Sequence, residues 1–300
     1  MMLDTFLGNH ALKQSLQAAL DAGRLSHSVL LVGESGSGVG YAARCLAADY
    51  LYPEGGDGAK AVMEQRSAEC ISVRGEGASG EIRIDRIRQV RKEVYETALS
   101  AKGRVVILYD VQKLNPSSAN ALLKVLEEPP QGVLFVLTAS SAAAVMYTIR
   151  SRCSLYTIAP PSHKECAGWI QKHCPHLAQP QLVAQAYEGR IGKALALAKD
   201  AKRQGHFQAA CQMVQMAAEH RQYQLLCLLS RYEKDKPGLV CLLEDGAALA
   251  ASGLTHPTLG IAPARAAAVS HACNQALSQM ARNVNQKLLL TSLAIQLAAV

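Results

Sequence analysis

This sequence is poor in aromatic residues and lacks paired cysteines and long apolar runs. Aromatic residues make up 5% of the 300 residues, with a single tryptophan. A membrane-spanning helix needs about 20 consecutive apolar residues, and no uncharged run comes near that length. The first ten residues, MMLDTFLGNH, lack the apolar core of a signal peptide. We therefore expect a soluble cytoplasmic protein without a membrane partner.

The cysteine spacing matches neither a zinc site nor a disulfide framework. None of the nine cysteines forms a C-x-x-C pair, and an odd number cannot all pair within one chain. We expect no metal and a set of reduced, mostly buried thiols. The 31 basic and 24 acidic residues give a net charge of +7. This charge permits contact with nucleic acid, although charge alone slightly favours an ordinary solvated surface.

Short apolar strands alternate with helices up to about residue 159. The sequence predicts strands at 29–32, 70–73, 104–108 and 133–137, and helices at 4–23, 40–48, 81–96 and 116–128. Such alternation indicates an α/β fold with a parallel sheet covered on both faces. A glycine-rich stretch at 54–80 interrupts it and is expected to be an exposed, partly mobile insertion around a short helix. Beyond residue 161 the pattern is helical throughout.

The stretch VLLVGESGSGVGYAARC at 29–45 has the strand, loop and helix of a phosphate-binding P-loop. A working loop reads G-x-x-x-x-G-K-[ST]. Gly33 and Gly38 hold its glycines, but Val39 replaces the lysine that reaches the β- and γ-phosphates, and Gly40 replaces the hydroxyl that binds Mg²⁺. The loop is either an ATPase site that has lost its chemistry, with a backbone cradle that still faces an anion, or an ordinary glycine-rich turn.

Two further strand ends carry polar residues. In a P-loop ATPase the strand at 104–108 would end in Asp-Glu, which hold Mg²⁺ and polarise the attacking water. Here it ends in Tyr109 and Asp110. Tyrosine cannot hold the metal, and we expect Asp110 to make a structural hydrogen bond. Thr138 lies at the end of the next strand. Because ligands bind beyond the carboxyl ends of parallel strands, these coincidences favour a degenerate nucleotide site.

Four segments resemble the bacterial replicative clamp loaders, which are AAA+ proteins. They are RLSH at 24–27, IDRIR at 84–88, NALLKVLEEPP at 120–130 and TIRSRC at 148–153. The resemblance implies a RecA-like AAA+ domain with a parallel sheet at 1–159, a helical lid domain at 160–204 and an all-α collar domain at 205–300. It also implies membership of a five-subunit hetero-oligomer that loads a sliding clamp in DNA replication.

The resemblance implies a role for each matching residue. From the residues alone, Arg150 and Arg152 are either solvated capping residues or phosphate ligands. In the family, Arg152 would be an arginine finger that reaches ATP held by a neighbouring subunit. Thr138 would be the first sensor, and Lys193 lies near the second, both vestigial. The partners would be the motor (gamma/tau) and delta subunits and, through the assembly, the sliding clamp and primed DNA.

Two departures from the family pattern matter. The family's four-cysteine zinc module should lie between residues 50 and 75, where only Cys70 remains, so we expect no zinc. Tyr147 stands where family members usually have proline, next to the segment that carries Arg152. Two other functions stay open: a weak AAA+ ATPase that binds nucleotide through an unusual loop, and an AAA+-derived binding module outside replication.

Overall fold

The computed structural model describes residues 1–77, 80–96, 102–256, 260–282 and 284–299. The chain divides into two compact units, Met1–Pro161 and Ser162–Val300. Two residues of the expected insertion, 78 and 79, lie outside the described residues. Among the helices that the structure describes, none is both long enough and apolar enough to cross a lipid bilayer.

The first unit is built on a five-stranded parallel sheet. Its strands are β1 (Ser28–Val32), β2 (Cys70–Val73), β3 (Arg104–Leu108), β4 (Val133–Ala139) and β5 (Ser154–Thr157), in the order β2-β3-β4-β1-β5. The α/β class and the four predicted strands are confirmed. The sequence pattern missed β5, because residues of this edge strand alternate between half-buried and exposed and form no continuous apolar run.

Helices cover both faces of this sheet, as the continuous apolar strands require. They are α1 (His10–Asp21), α2 (Val39–Leu51), α3 (Gly56–Met63), α4 (Ile84–Glu93), α5 (Pro116–Glu127) and α6 (Tyr147–Arg150). Alternate residues of β1 enter different cores: Val29 and Leu31 pack with α2, and Leu30 and Val32 pack with α4 and α5.

The predicted helix at 4–23 begins later than expected. A short 3₁₀ helix occupies Met2–Thr5, and α1 starts only at His10. The break lies at Gly8 and Asn9, whose φ angles are 68° and 54°, outside the helical region. Both polar atoms of the Asn9 amide bond the backbone of Ala159, at 2.8 and 3.0 Å, which ties the start of this unit to its last strand.

The second unit is entirely helical in the residues that the structure describes. Its helices are α7 (His163–His173), α8 (Pro180–Ala186), α9 (Ile191–Lys199), α10 (Ala201–Ala218), α11 (Gln222–Ser230), α12 (Lys236–Ser252), α13 (Pro263–Met280) and α14 (Gln286–Ala299). One hydrophobic core extends from α7 to α14. The expected lid–collar boundary at 204/205 falls inside α10, and the division of this unit into a lid and a collar domain stays a prediction.

A buried polar cluster joins three elements of the helical unit. Asp245 on α12 is 1% exposed. It accepts a hydrogen bond of 2.9 Å from the Tyr187 hydroxyl, and both terminal nitrogens of Arg203 on α10 also donate to its carboxylate. Burial, and then the negative charge of Asp245, raise the pKa of Tyr187, so Tyr187 stays a hydrogen-bond donor at neutral pH.

Replacing Asp245 with alanine is expected to destabilise the helical unit by about 2–4 kcal/mol, because it leaves a buried hydroxyl and a partly buried guanidinium without their acceptor. Urea unfolding of the full chain, followed by the fluorescence of Trp169 on α7, reports on this unit alone because the chain has one tryptophan. The neighbouring exposed Glu244 provides the control. Equal midpoints for Asp245→Ala and Glu244→Ala would contradict the expectation.

Candidate functional site

The carboxyl edge of the sheet brings most of the predicted site residues together. In the register of the sheet Val32 pairs with Ala139, and Leu108 pairs with Leu137. The amide of Gly33 donates to the carbonyl of Ala139 at 3.1 Å. The β1–α2 loop and the ends of β3 and β4 are therefore neighbours, as the topology of a parallel sheet requires.

The two P-loop glycines of the β1–α2 loop are closely surrounded by other atoms. Gly38 has a φ of 94° and forms the N-cap of α2. A Cβ atom built on Gly33 would lie 2.8 Å from the Ser37 hydroxyl and 2.9 Å from a methyl group of Val39. On the other side, the Phe6 ring would lie 3.0 Å from a Cβ on Gly38. Neighbouring atoms thus crowd both glycines of the loop, and none of those atoms carries a positive charge that could pair with a phosphate.

Tyr109 occupies the place beside Gly40. A Cβ atom on Gly40 would lie only 3.1 Å from Cε1 of Tyr109. The ring is 3% exposed, and on it lies the guanidinium of Arg74, with its carbon 3.6 Å from the ring centroid. The two positions that hold Mg²⁺ in a working P-loop ATPase are here a glycine and an aromatic ring in contact. We refer to Gly40, Tyr109 and Arg74 as the stack.

Asp110 and Thr138 are joined by a hydrogen bond. Asp110 has a φ of 56°, a conformation that costs a non-glycine residue free energy. Its amide donates to the Thr138 hydroxyl at 3.1 Å, and its carboxylate lies 3.7 Å from Lys113. That bond is made by the backbone of Asp110, whereas its carboxylate accepts a hydrogen bond from the Gln112 amide at 3.4 Å. Thr138 is the next-to-last residue of β4 and is 4% exposed.

Arg152 lies just after α6, at the surface of the first unit. Its side chain is 36% exposed. One terminal nitrogen donates to Glu127 at 2.6 Å, and the other donates to the carbonyl of Thr148 at 2.9 Å. Tyr147, which stands at the family's proline position, is the first residue of α6 and 72% exposed. It does not cover Arg152, since its ring faces the guanidinium of Arg150 instead, at 5.7 Å.

Lys193 belongs to the helical unit, on α9. Its ammonium nitrogen is 5.9 Å from the centroid of the Tyr187 ring, the same tyrosine that bonds Asp245. Lys193 therefore borders the buried polar cluster of that unit.

Cys70 and the preceding insertion have apolar surroundings. Helix α3 buries Ala59 and Val62 against α2, so this part of the insertion is less exposed than predicted. Cys70, the first residue of β2, is buried, and this burial raises the pKa of its thiol to about 12; a metal ligand would need the thiolate. Over the described ranges, no group of three or more possible His, Cys, Asp or Glu ligands comes together. That no zinc is bound stays a prediction.

Helix α4 presents a basic surface. Its exposed cations, with that of its N-cap residue, are Arg83, Arg88, Arg91 and Lys92. Arg86 is held by Glu93 at 3.0 Å, and Arg88 lies 3.4 Å from Asp85. The face is positively charged and solvated, which suits phosphate contacts without base selectivity.

Sequence reasoning missed two partners of the site, Arg74 and Glu127. Arg74 follows β2, and because β2 and β3 pair in parallel, a residue after one strand end can reach the other. That topology was the available signal for Arg74. Glu127 lies within the recognised LEEPP segment, but no spacing rule connects it to Arg152, 25 residues later.

The chain is similar to subunits of DNA polymerase III. The family model described as DNA polymerase III, delta subunit, matches residues 8–162. DNA polymerase III subunit delta' of Escherichia coli is 29% identical over 195 residues, which are 61% of this chain and 58% of that protein. The same subunit of Yersinia pestis is 35% identical over 95 residues, 32% of this chain and 28% of that protein. The alignments thus span 58% and 28% of the lengths of these two relatives.

A solved structure extends the similarity to nearly the whole fold. The structure of a DNA polymerase III gamma subunit-related protein from Thermotoga maritima superimposes with a TM-score of 0.52. It covers 95% of this chain and 98% of that one, at 19% identity. At this identity the match establishes the fold, a RecA-like AAA+ domain followed by helices, and leaves the chemistry to the residues themselves.

Proposed function

Because the chain belongs to the family described as DNA polymerase III, delta subunit, we propose that it is a delta-prime-like subunit of a bacterial clamp loader. It does not hydrolyse ATP itself, and it supplies Arg152 in trans to ATP bound by a neighbouring motor subunit. Its partners are the motor (gamma/tau) and delta subunits in the cytoplasm. Through the assembly it acts on the sliding clamp and on primed DNA.

The stack is the observation that supports the proposed lack of ATP hydrolysis by this chain. Magnesium at a P-loop is held by a hydroxyl on the helix and a carboxylate on the neighbouring strand. Here Gly40 offers no ligand, and the Tyr109 ring lies against it. With Val39 in place of the lysine, the loop has no cation for the β- and γ-phosphates. This supports a scaffold subunit over the alternative of a weak ATPase, and Thr138 and Lys193 are then vestigial sensors.

The position of Arg152 supports its role as a finger. It is partly exposed and follows a short helix packed on α5, so its guanidinium can be offered to another chain. Arginine has the planar set of donors that phosphate oxygens accept best. The exposed cations of α4 supply the nonspecific contacts with DNA phosphates that we assign to this subunit.

Reconstitution tests the proposal. Mixed with the motor and delta subunits of its own source, the chain should enter one stable complex that separates from the free subunits by size. That complex should load its clamp onto primed DNA, and loading should fail without this chain. A chain that stays free under conditions where the other subunits associate would refute the proposal and favour a binding module outside replication.

A further inference from the structure

We propose that Glu127 is a positioning residue that holds Arg152 on its own chain until a neighbouring subunit presents a triphosphate. The inference rests on the proposed function, since it assigns a resting state to the finger. It concerns the contact between the last residue of α5 and the residue two positions beyond α6.

The geometry shows a side chain folded back on its own unit. Nη2 of Arg152 donates to Oε1 of Glu127 at 2.6 Å, and Nη1 donates to the carbonyl of Thr148, four residues back, at 2.9 Å. Each terminal nitrogen thus donates at least one hydrogen bond within this chain, and Nη2 uses one of its two N–H groups on Glu127. A phosphate oxygen that accepts from the same N–H of Nη2 must replace the Glu127 carboxylate, because the two acceptors compete for one donor.

Glu127 is well placed to act as a fixed acceptor. It ends α5, whose residues Leu122, Val125 and Leu126 are buried under the sheet, and Pro129 and Pro130 follow it. The adjacent Glu128 is exposed, like Glu127, so the two carboxylates differ mainly in whether they reach Arg152. Glu128 is therefore a matched control.

The contact is weak enough to be exchanged. The two side chains are 36% and 48% exposed, and ion pairs at such exposure contribute little to stability. Their attraction also falls as salt rises. A neighbouring γ-phosphate with its higher charge can therefore displace Glu127, whereas without that phosphate the finger stays folded back.

The test uses the complete loader, assembled so that only the motor subunit facing this chain retains its P-loop lysine. ATP turnover is measured against ATP concentration at low salt. We expect Glu127→Gln to lower the ATP concentration for half-maximal turnover by about two- to fivefold, with kcat unchanged. The shift should shrink in high salt, and Glu128→Gln should match the parent loader.

A double-mutant comparison separates this role from a structural one. In an Arg152→Ala background, Glu127→Gln should have no further effect, since the group it restrains is gone. If Glu127→Gln shifts nothing in the parent background, or raises the ATP requirement, the resting contact is refuted while the finger survives. If Arg152→Ala alone leaves turnover unchanged, the finger itself fails, and the inference fails with it.

Discussion

Replacing Arg152 with alanine is expected to reduce ATP turnover at the neighbouring site by roughly 10³-fold, the lower end of what arginine fingers supplied in trans contribute in GTPases. The loss should appear in kcat, because the guanidinium neutralises charge that develops as the phosphoryl group is transferred. Single-turnover hydrolysis by a loader with one competent motor subunit measures it. Arg152→Lys should recover little, since lysine lacks the planar pair of donors.

The control for this experiment is Arg150→Ala. Arg150 is the last residue of α6, two positions before Arg152, and its guanidinium donates to the carbonyl of Ala142 at 3.3 Å within its own unit. It should change turnover by no more than a few fold. Because Arg152 is partly exposed and its ion pair is weak, Arg152→Ala should still assemble. Equal turnover in the Arg152→Ala and parent loaders would refute the role of Arg152 as a finger for the neighbouring subunit.

Much of the first unit could be predicted because its strands are continuous apolar runs. β1, β3 and β4 are buried along their full length, so composition alone marks them. β5 could not be found in this way, since two of its four residues are exposed and the other two are only half-buried. The start of α1 was missed because Gly8 and Asn9 take up positive φ angles that no helical periodicity reveals.

The sequence predicted which ATPase residues are missing from the site, and the structure shows which contacts occupy their positions. The sequence identified Val39, Gly40 and Tyr109 as residues that cannot perform ATPase chemistry. It did not show that Gly40 and Tyr109 touch, that Arg74 covers the ring, or that Glu127 meets Arg152. Those contacts depend on how strand and helix ends meet in space. Helical periodicity likewise does not show which helices share a core, so the lid–collar boundary at 204/205 stays a prediction.

Replacing Gly40 with threonine, the residue type of a working P-loop, is expected to destabilise the first unit by about 2 kcal/mol. Even the new Cβ atom would lie 3.1 Å from the Tyr109 ring, and the two further heavy atoms of threonine would overpack the site. The ring has little freedom to move, since Arg74 lies on its face and the Tyr109 amide bonds the carbonyl of Val73 at 2.9 Å. Amide hydrogen exchange of the β1, α2 and β3 segments in the full chain measures the loss.

The cost of Gly40→Thr should largely vanish when Tyr109 is alanine, because the two residues then no longer compete for the same space, and pairs in contact are coupled by about 0.5–3 kcal/mol. Equal costs in both backgrounds would show that the ring does not require the glycine.

The coupling of Gly40 and Tyr109 also has a consequence for nucleotide binding. Restoring Val39→Lys and Gly40→Thr together should not restore binding of Mg-ATP, measured by calorimetry, whereas adding Tyr109→Asp both clears the space and supplies the missing carboxylate. Restoring Mg-ATP binding would then require changes in both the β1–α2 loop and the end of β3, because changes in the loop alone would not suffice.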